Sequence, residues 1–401
     1  MPKSQTPPPN VQVVTLLDDE RKMGPFFYVT ITTFNFFSGS VPVDFITARV
    51  QQILELNPWL QSRLVGKMGD VHFEYPATVP STAADDTYVK CLTIPGFAQD
   101  QEYNKLVKSV KKHLVKLGYC YLNKKTFGDL FRILIVNGNS LVVSMSHMLG
   151  DGNTYYEVLK MLDARPEFVP RALSVERIDS FNAMRQDIFG ASYYEWRSFT
   201  SLLSIKFYME TVFGAARGNV YTIDKPQIEE IKQKYTTEDA YVSSNDVIAS
   251  KLLSDCHLVW GSVSTNSREY LGESGPQRDS TGTYTIGAIV TKDMSPSDVR
   301  KRIMSITNKT PLTEFPSKKE TKEGQGMNIS NWTKFQHFLR LPDGQEAQLH
   351  LPSHATPIAC NMAVIFKAKP EELSVLLLTT KKSSKHFKMG SLFTPTQNVV
   401  S

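Results

Sequence analysis

One segment, residues 130–162, constrains the fold more than any other, because it joins two strand patterns and a helix pattern almost without spacers. The apolar runs LFRILIV and SLVVSMS flank Asn-Gly-Asn at 137–139, which predicts a hairpin of two strands. The second run ends directly at His147, and NTYYEVLKML then follows Gly152 with the pattern of a helix. The chain must therefore form an α/β structure in which a buried strand delivers an imidazole at its end.

The length of the chain argues for two domains. Its 401 residues, of which 41% are hydrophobic and 21% charged, have the composition of a globular protein and are too many for one average core. Strand and helix patterns alternate irregularly on both sides of a Pro-containing linker that begins at Arg165, which predicts mixed sheets with flanking helices in an α/β (α+β) fold. We expect a disordered tail at 1–10, an N-terminal domain at 11–180 and a C-terminal domain at 181–401.

Charge and cysteine content exclude several classes of function. The formal net charge of +5 suits an anionic small ligand, and the short basic runs lack the clustered footprint of a nucleic-acid binder. His337, His350 and His354 recur in one region, but their spacing does not predict a set of metal ligands. The cysteines lie far apart without CxxC spacing, which predicts reduced thiols and no metal site, at Cys91, Cys120, Cys256 and Cys360.

The sequence predicts a cytoplasmic protein without a transmembrane segment. MPKSQTPPPN at the N-terminus lacks the apolar core of a signal peptide. The most lipid-like stretch, Ser201–Gly214, is interrupted by Lys206 and Glu210 and is too short to span a bilayer. We interpret it as an amphipathic packing helix, and peripheral membrane contact stays open as the alternative.

The residues around His147 favour proton-transfer chemistry. Imidazole has an unperturbed pKa near neutrality, which suits it to take a proton from a hydroxyl or an amine. Gly150 and Gly152 permit a tight turn, so that the histidine can face an open channel instead of the core. Asp151 need not touch the imidazole, and a buried carboxylate at this position needs a partner such as an arginine.

The motif also resembles a known signature. HMLGDG at 147–152 resembles the HxxxDG signature of the CoA-dependent acyltransferase superfamily, which includes BAHD enzymes, alcohol acetyltransferases, carnitine and chloramphenicol acyltransferases, and peptide-synthetase condensation domains. Further segments look like those of BAHD enzymes and follow in the same order. They are VDFITARVQQILELNPWLQSRLV from Val43, YVSSNDVIASKLL from Tyr241, STNSREYLG from Ser264, GTYTIGAIV from Gly282 and ISNWTKF from Ile329.

The resemblance implies two chloramphenicol-acetyltransferase-like domains with an active-site channel between them. Acyl-CoA would enter the channel from one face and a small alcohol or amine acceptor from the other. His147 would be the general base, and the acceptor would attack the thioester directly, without a covalent enzyme intermediate. Acyl-CoA would be a co-substrate, no cofactor would be bound permanently, and the protein would be a monomer.

The resemblance also implies roles for other residues. Asp151 would be structural, as the ion-pair partner of Arg268, and Gly152 would complete the turn. Ser330 and Trp332 would polarise the thioester carbonyl and act as donors to the developing oxyanion. The cofactor-binding candidates, at the place where the pantetheine arm meets a helix N-terminus, would be Ser243 and Ser244.

Two departures from the BAHD pattern keep alternatives open. The DFGWG motif is absent where this chain reads LRLPDGQEAQLHLPSH, and Gly287 is followed by Ala288 where BAHD enzymes carry asparagine. One alternative is a condensation-type enzyme that takes its acyl group from a carrier protein. The other is a relative that binds a ligand without turnover. The acceptor, which Tyr155 and Tyr156 allow to be apolar or aromatic, is not specified by the sequence.

Overall fold

The computed structural model describes the chain from residue 10 to residue 396 with short gaps. The described residues are 10–22, 24, 28–67, 69–81, 84, 87–214, 216–238, 241–268, 270–272, 275–311, 314–323, 326–354, 356–380, 383 and 387–396. Residues 1–9 of the predicted tail therefore lie outside the described residues. So do Phe26 and Phe27, the first residues of FFYVTITTFNF, an aromatic and β-branched run that predicts a strand.

The strands are distributed along the whole described chain. In order they are β1 (Val11–Thr15), β2 (Thr30–Phe36), β3 (Arg63–Lys67), β4 (Asp70–Pro76), β5 (Val89–Leu92), β6 (Phe131–Val136), β7 (Ser140–Ser146), β8 (Arg217–Ile223), β9 (Trp260–Asn266), β10 (Thr285–Thr291), β11 (Gly326–Asn331), β12 (Leu349–Ser353), β13 (Asn361–Lys369), β14 (Glu372–Thr379) and β15 (Phe393–Pro395).

The α-helices alternate with the strands. They are α1 (Asp18–Lys22), α2 (Val43–Leu56), α3 (Tyr103–Val110), α4 (Gly152–Lys160), α5 (Phe181–Gly214), α6 (Lys225–Tyr235), α7 (Ser244–Asp255), α8 (Pro296–Thr307) and α9 (Lys318–Glu323). Short 3₁₀ turns connect several of these elements.

A five-stranded mixed sheet, in the order β12-β2-β7-β6-β5, contains both strands of segment 130–162. The predicted hairpin β6–β7 is confirmed. Its turn has positive φ angles of 52° at Asn137 and 76° at Gly138, which Asn and Gly adopt readily in tight hairpin turns. Strand β12 comes from the second half of the chain and pairs with β2. The second half of the chain therefore contributes a strand to the sheet of the first half, and the boundary at 180/181 stays a prediction.

The second half of the chain builds a seven-stranded mixed sheet, in the order β10-β9-β11-β13-β14-β8-β15. Strand β11 runs parallel to both β9 and β13, whereas the other neighbours are antiparallel. A small antiparallel sheet, β1-β4-β3, lies beside the first. Two hydrophobic cores result, and the core of the first sheet also includes Val364 and Leu376 of the second. This shared packing holds the two sheets together.

One helix is shorter than its sequence pattern suggests. The segment from Glu102 to Gly118 predicts a single amphipathic helix, whereas α3 ends at Val110. Beyond that point the Val115 N–H donates to the Ser144 hydroxyl at 3.1 Å, and Arg132 donates to a backbone carbonyl of the segment. Hydrogen bonds to the neighbouring sheet thus outweigh helix propensity.

The long helix α5 contains the stretch that the sequence marks as lipid-like. It bends at Gly190, where φ is 76° and ψ is 167°. Three apolar side chains near its C-terminal end, Ile205, Met209 and Val212, are exposed. Among the described residues, no helix is long and apolar enough to cross a membrane. Peripheral membrane contact by this helix stays the alternative to the packing helix that the sequence favours.

Candidate active site

Strand β7 places His147 directly after its last residue, in a turn that leads into α4. The imidazole is half-buried and lies against Tyr28, with 5.0 Å between the ring centroids and a tilt of 54°. The Thr283 hydroxyl lies 3.5 Å from the imidazole Nδ1. The histidine is thus held between the first sheet and the loop that precedes β10.

Burial lowers the pKa of His147 below its ordinary value. The negative charges of Asp151 and Glu20 and a hydrogen bond to the histidine's own backbone oppose this shift without cancelling it. The imidazole is therefore neutral near pH 7, which is the form that can accept a proton.

Asp151 and Arg268, which the sequence analysis pairs, form a buried bidentate ion pair. Their N–O distances are 2.8 and 3.1 Å, and both side chains are almost fully buried. Asp151 also caps α4 by accepting from the Thr154 N–H at 3.2 Å. Arg268 donates to the carbonyls of Ser280 and Gly282 at 2.9 Å each. The pair therefore joins the motif turn to the β9–β10 region.

The charge state of Asp151 follows from the same contacts. Burial alone would raise the pKa of this carboxyl, but Arg268 and the Thr154 N–H hold the pKa below its ordinary value. Asp151 thus stays ionised, and it is occupied by these partners instead of by the imidazole of His147. This arrangement suits the structural role that the resemblance implies.

A second buried ion pair, between Glu20 and Arg177, was missed by the sequence analysis. The Arg177 Nε donates to Glu20 at 3.0 Å, and both side chains are almost fully buried. Glu20 also accepts from the Thr283 N–H at 2.9 Å, and so fixes the residue that reaches His147. Arg177 donates to the Leu149 carbonyl, inside the motif, at 3.3 Å. The motif turn is therefore held from two sides.

Ser330 and Trp332 lie together near the start of α4. The Trp332 indole N–H donates to the Ser330 hydroxyl at 3.0 Å, so this N–H is already occupied. Ser330 keeps its own hydroxyl proton for another acceptor. A Cβ added at Gly152 would lie 3.3 Å from the Phe335 ring and 3.5 Å from the Trp332 Nε1. The absence of a side chain at Gly152 thus lets the Phe335 ring pack closely against the motif.

A cavity of about 310 Å³, which we call the inner cavity, opens beside His147. It reaches Gly152, Ser330 and Trp332 at one end. Its volume lies at the low end of the range for small-molecule sites. Much of the wall is apolar and combines Ile31, Ile358, Met362, Val364, Leu376 and Leu378.

A second cavity of about 640 Å³, which we call the outer cavity, also reaches Gly152, Ser330 and Trp332. The two cavities therefore share lining residues beside the motif. Arg278 and Lys334 line the outer cavity and take part in none of the ion pairs formed within the described ranges. They give this side of the site uncompensated positive charge.

The two cofactor-binding candidates differ in position. Ser243 lines the outer cavity, and its N–H and hydroxyl donate to Asp246 at 2.7 and 2.9 Å to cap α7. Ser244 is the first residue of α7 and is not part of the described lining of either cavity. Only Ser243 is therefore placed to meet a ligand, and its hydroxyl already has a structural partner.

Other histidines are held by structural partners. His350 is fully buried between the Tyr156 hydroxyl at 2.7 Å and the Asn35 side chain at 2.8 Å. His337 lies 2.7 Å from Asp163. Within the part of the chain that the structure describes, no group of His, Cys, Asp and Glu side chains is arranged to hold a metal ion.

Comparisons with known proteins reveal similarity in structure and not in sequence. No protein-family model and no curated protein matches the chain. TRI101 of F. sporotrichioides, solved with coenzyme A and T-2, aligns over 96% of this chain and 99% of its own, with 10% identity and a TM-score of 0.58. The first condensation domain of the calcium-dependent antibiotic synthetase aligns over 91% and 87%, with 12% identity and a TM-score of 0.58.

A third similar structure is polyketide synthase associated protein 5 from Mycobacterium tuberculosis. It aligns over 90% of this chain and 92% of its own, with 13% identity and a TM-score of 0.55. At these identities the likeness concerns the fold. The expected two-lobed, chloramphenicol-acetyltransferase-like architecture is thereby confirmed over nearly the whole chain.

Proposed function

We propose that this chain, whose fold matches TRI101 and a condensation domain, transfers an acyl group from acyl-CoA to a hydroxyl or amine of a small acceptor. One observation carries the proposal: a neutral, half-buried imidazole lines an apolar cavity that shares Gly152, Ser330 and Trp332 with a basic cavity. Two substrates can approach such a base from opposite sides and react there without an enzyme-bound intermediate.

His147 is the general base in this proposal. Its Nδ1 faces the Thr283 hydroxyl, and the imidazole forms a hydrogen bond with the backbone of His147 itself. In the proposal, Nε2 is therefore the nitrogen that meets the acceptor. As Nε2 takes the acceptor proton, the acceptor oxygen or nitrogen attacks the thioester carbonyl. The C–S bond then breaks, and the leaving thiolate takes the proton back from the imidazolium.

Ser330 is the proposed donor to the oxyanion that forms during this attack. Its hydroxyl proton is free to donate because the Trp332 N–H supplies the hydrogen bond that the Ser330 oxygen accepts. Trp332 then acts by orienting Ser330. A donor fixed before the reaction stabilises the developing charge without reorganisation.

The outer cavity is the proposed site for coenzyme A. Arg278 and Lys334 would attract its phosphates, and Ser243 lies along the same wall. The inner cavity is left for the acceptor, since it is smaller and mostly apolar. Acyl-CoA is thus a co-substrate, and Asp151, Gly152 and Arg268 shape the turn between the two cavities.

A carrier-bound acyl donor is the second candidate, because the condensation domain matches the fold as well as TRI101 does. The two donors share a pantetheine arm and a thioester, so the same base and oxyanion donor would serve both. They differ in the group that would cover the outer cavity. Acyl-CoA would place its nucleotide there, whereas a carrier-bound donor would place the surface of the carrier protein there. A direct comparison of donors separates the two candidates.

Thiol release tests the proposal. The purified chain is incubated with acyl-CoAs of increasing length and pooled alcohols and amines, the free thiol is followed with a chromogenic reagent, and the product is identified by mass spectrometry. Release from acyl-CoA that requires an acceptor is the expected result. Release from acyl-pantetheine on a carrier protein alone would favour the second candidate. A melting temperature raised by coenzyme A without any release would indicate a ligand-binding relative.

A further inference from the structure

Four lysines surround a pocket of about 470 Å³ outside the proposed active site, which we call the lysine pocket. Lys108 lies on α3, Lys111 and Lys112 lie in the 3₁₀ turn that follows, and Lys116 lies four residues after Lys112. All four are exposed, and none takes part in an ion pair formed within the described ranges. The pocket therefore carries positive charge that the protein itself does not compensate.

The pKa of His113, in the same 3₁₀ turn, reflects this charge. Burial lowers the pKa of its imidazole, and the positive charges of Lys112, Arg132 and Lys90 lower it further. A concentration of one sign of charge attracts a partner of the opposite sign. The partner of this surface is therefore anionic.

Helix α5 exposes a row of apolar side chains near its C-terminal end. Ile205, Met209 and Val212, which we call the apolar row, are 44%, 45% and 43% exposed. Their spacing of four and three residues places them on one face of the helix. Glu210 lies about 100° around the helix from Met209 and so outside this row. No other helix or strand within the described ranges exposes as many large apolar side chains.

Tyr208, the residue before Met209, lies close to the wall of the lysine pocket. Burial, followed by the charges of Tyr119 and Cys120, raises the pKa of Tyr208 to about 12. Tyr119 and Cys120 both line the lysine pocket, and Tyr119 is itself 45% exposed. An exposed aromatic ring thus lies among the lysines and within electrostatic range of α5.

A second contact joins α5 to the same wall. The Thr211 hydroxyl donates to the Ile358 carbonyl at 2.9 Å, and the Ile358 N–H donates to this hydroxyl at 3.1 Å. Ile358 directly follows Pro357, which lines the lysine pocket. Met209 of the apolar row lies between Tyr208 and Thr211 in the sequence. The apolar row and the four lysines therefore belong to neighbouring parts of one surface.

We propose that the lysine pocket and the apolar row together dock on the surface of an anionic lipid bilayer. A bilayer presents anionic headgroups directly above hydrocarbon, which matches lysines beside exposed apolar side chains. The lysines pair with the headgroups, while the apolar row and Tyr119 enter the boundary between headgroups and acyl chains. Docking of this kind requires no helix that crosses the membrane, and it does not depend on acyl transfer.

Flotation with vesicles tests the docking surface. The full-length protein is mixed with vesicles of phosphatidylcholine, alone or with an equimolar amount of phosphatidylserine, and its partition coefficient is measured. Binding to the anionic vesicles and little binding to the neutral vesicles is the expected result. The double variant Lys111→Gln, Lys112→Gln should bind about 30-fold more weakly, because each lysine near an anionic surface contributes about fivefold. The double variant Ile205→Gln, Met209→Gln should bind about tenfold more weakly.

The double variant Lys301→Gln, Lys309→Gln is the matched control, since it changes the net charge by the same amount. Lys301 lies on α8, which packs against α7 and β10, and Lys309 follows this helix. Charges away from the docking surface are screened, so the control should bind less than about threefold more weakly. All of the substituted side chains are exposed, so the melting temperatures should stay near that of the wild type.

Three results would overturn the proposal. They are an absence of binding to anionic vesicles, equal losses in the two lysine double variants, and unchanged binding of Ile205→Gln, Met209→Gln. Binding to an acidic acyl carrier protein without binding to vesicles would assign the surface to a protein partner instead. A dimer in sedimentation that Met209→Gln dissociates would assign the apolar row to a second copy of this chain.

Discussion

Two buried ion pairs hold the turn that carries His147, and the chain supplies them in different ways. Asp151 belongs to the motif itself and meets Arg268, 117 residues later. Glu20 and Arg177 lie outside any recognised motif and are 157 residues apart. The first pair shapes the start of α4, whereas the second holds Thr283 against the imidazole. The turn that carries His147 therefore depends on contacts with residues outside the motif.

Loss of the motif pair should have the largest effect on stability. In Asp151→Asn the Arg268 guanidinium stays buried without its counter-charge, which lowers the free energy of unfolding by about 4–5 kcal/mol. Urea denaturation measures this loss. The double variant Asp151→Asn, Arg268→Gln should recover part of it. A loss below about 1 kcal/mol would show that the pair is not a structural requirement.

Loss of the second pair should cost less. In Glu20→Gln the amide oxygen can still accept from the Thr283 N–H, so we expect a loss of about 3 kcal/mol, near the lower limit for a broken buried pair. Asp18→Asn is the control on the same helix. Its ion pairs are at the surface, and the variant should lose less than about 1 kcal/mol in the same denaturation experiment. Equal losses of unfolding free energy in Glu20→Gln and Asp18→Asn would contradict a structural role for the buried pair.

Glu20→Gln should also move the pH profile of acyl transfer. The Glu20 charge raises the pKa of His147, so its removal lowers that pKa further. The base is active when neutral and activity is lost as pH falls through its pKa. The acid limb of kcat/KM should therefore lie below pH 6.5 in the wild type and at still lower pH in the variant. A limb that moves to higher pH would contradict the assignment.

The smallest effect is expected at the contact with the base. Thr283→Val removes the hydroxyl that lies 3.5 Å from the His147 Nδ1, and kcat should fall about fivefold, as the loss of a hydrogen bond worth about 1 kcal/mol predicts. Thr281→Val is the control, since that hydroxyl accepts from Arg177 instead. It should lower the melting temperature and leave kcat unchanged. Equal changes in kcat would show that Thr283 acts only through the fold.

The sequence predicts those features that depend on neighbouring residues. The β6–β7 hairpin, the position of His147 at a strand end and the helix α4 that follows Gly152 are predicted by patterns of a few residues each. The long-range features do not. Helix α3 stops at Val110 because a distant strand competes for its backbone, and charged residues such as Glu20 carry no local sign of burial. The Asp151–Arg268 contact was anticipated only through resemblance to a family.

The role of Trp332 illustrates the same limit inside the site. From the sequence it is a candidate oxyanion donor, yet in the structure its N–H is directed to Ser330. This hydrogen bond joins two residues at the end of β11, and the spacing of residues in the sequence does not predict it. The Ser330 hydroxyl is therefore the remaining candidate donor of the two. Its hydrogen bond to an oxyanion stays a proposal.

The central claim is that His147 removes the acceptor proton, and acceptor-dependent thiol release by His147→Ala tests it most directly. His113→Ala is the matched control, because His113 lies outside the described lining of both cavities. A general base contributes about 10²–10⁴ in rate, so His147→Ala should release thiol at least about 100-fold more slowly while its melting temperature stays near that of the wild type. A folded His147→Ala protein that releases thiol at the rate of His113→Ala would contradict the account.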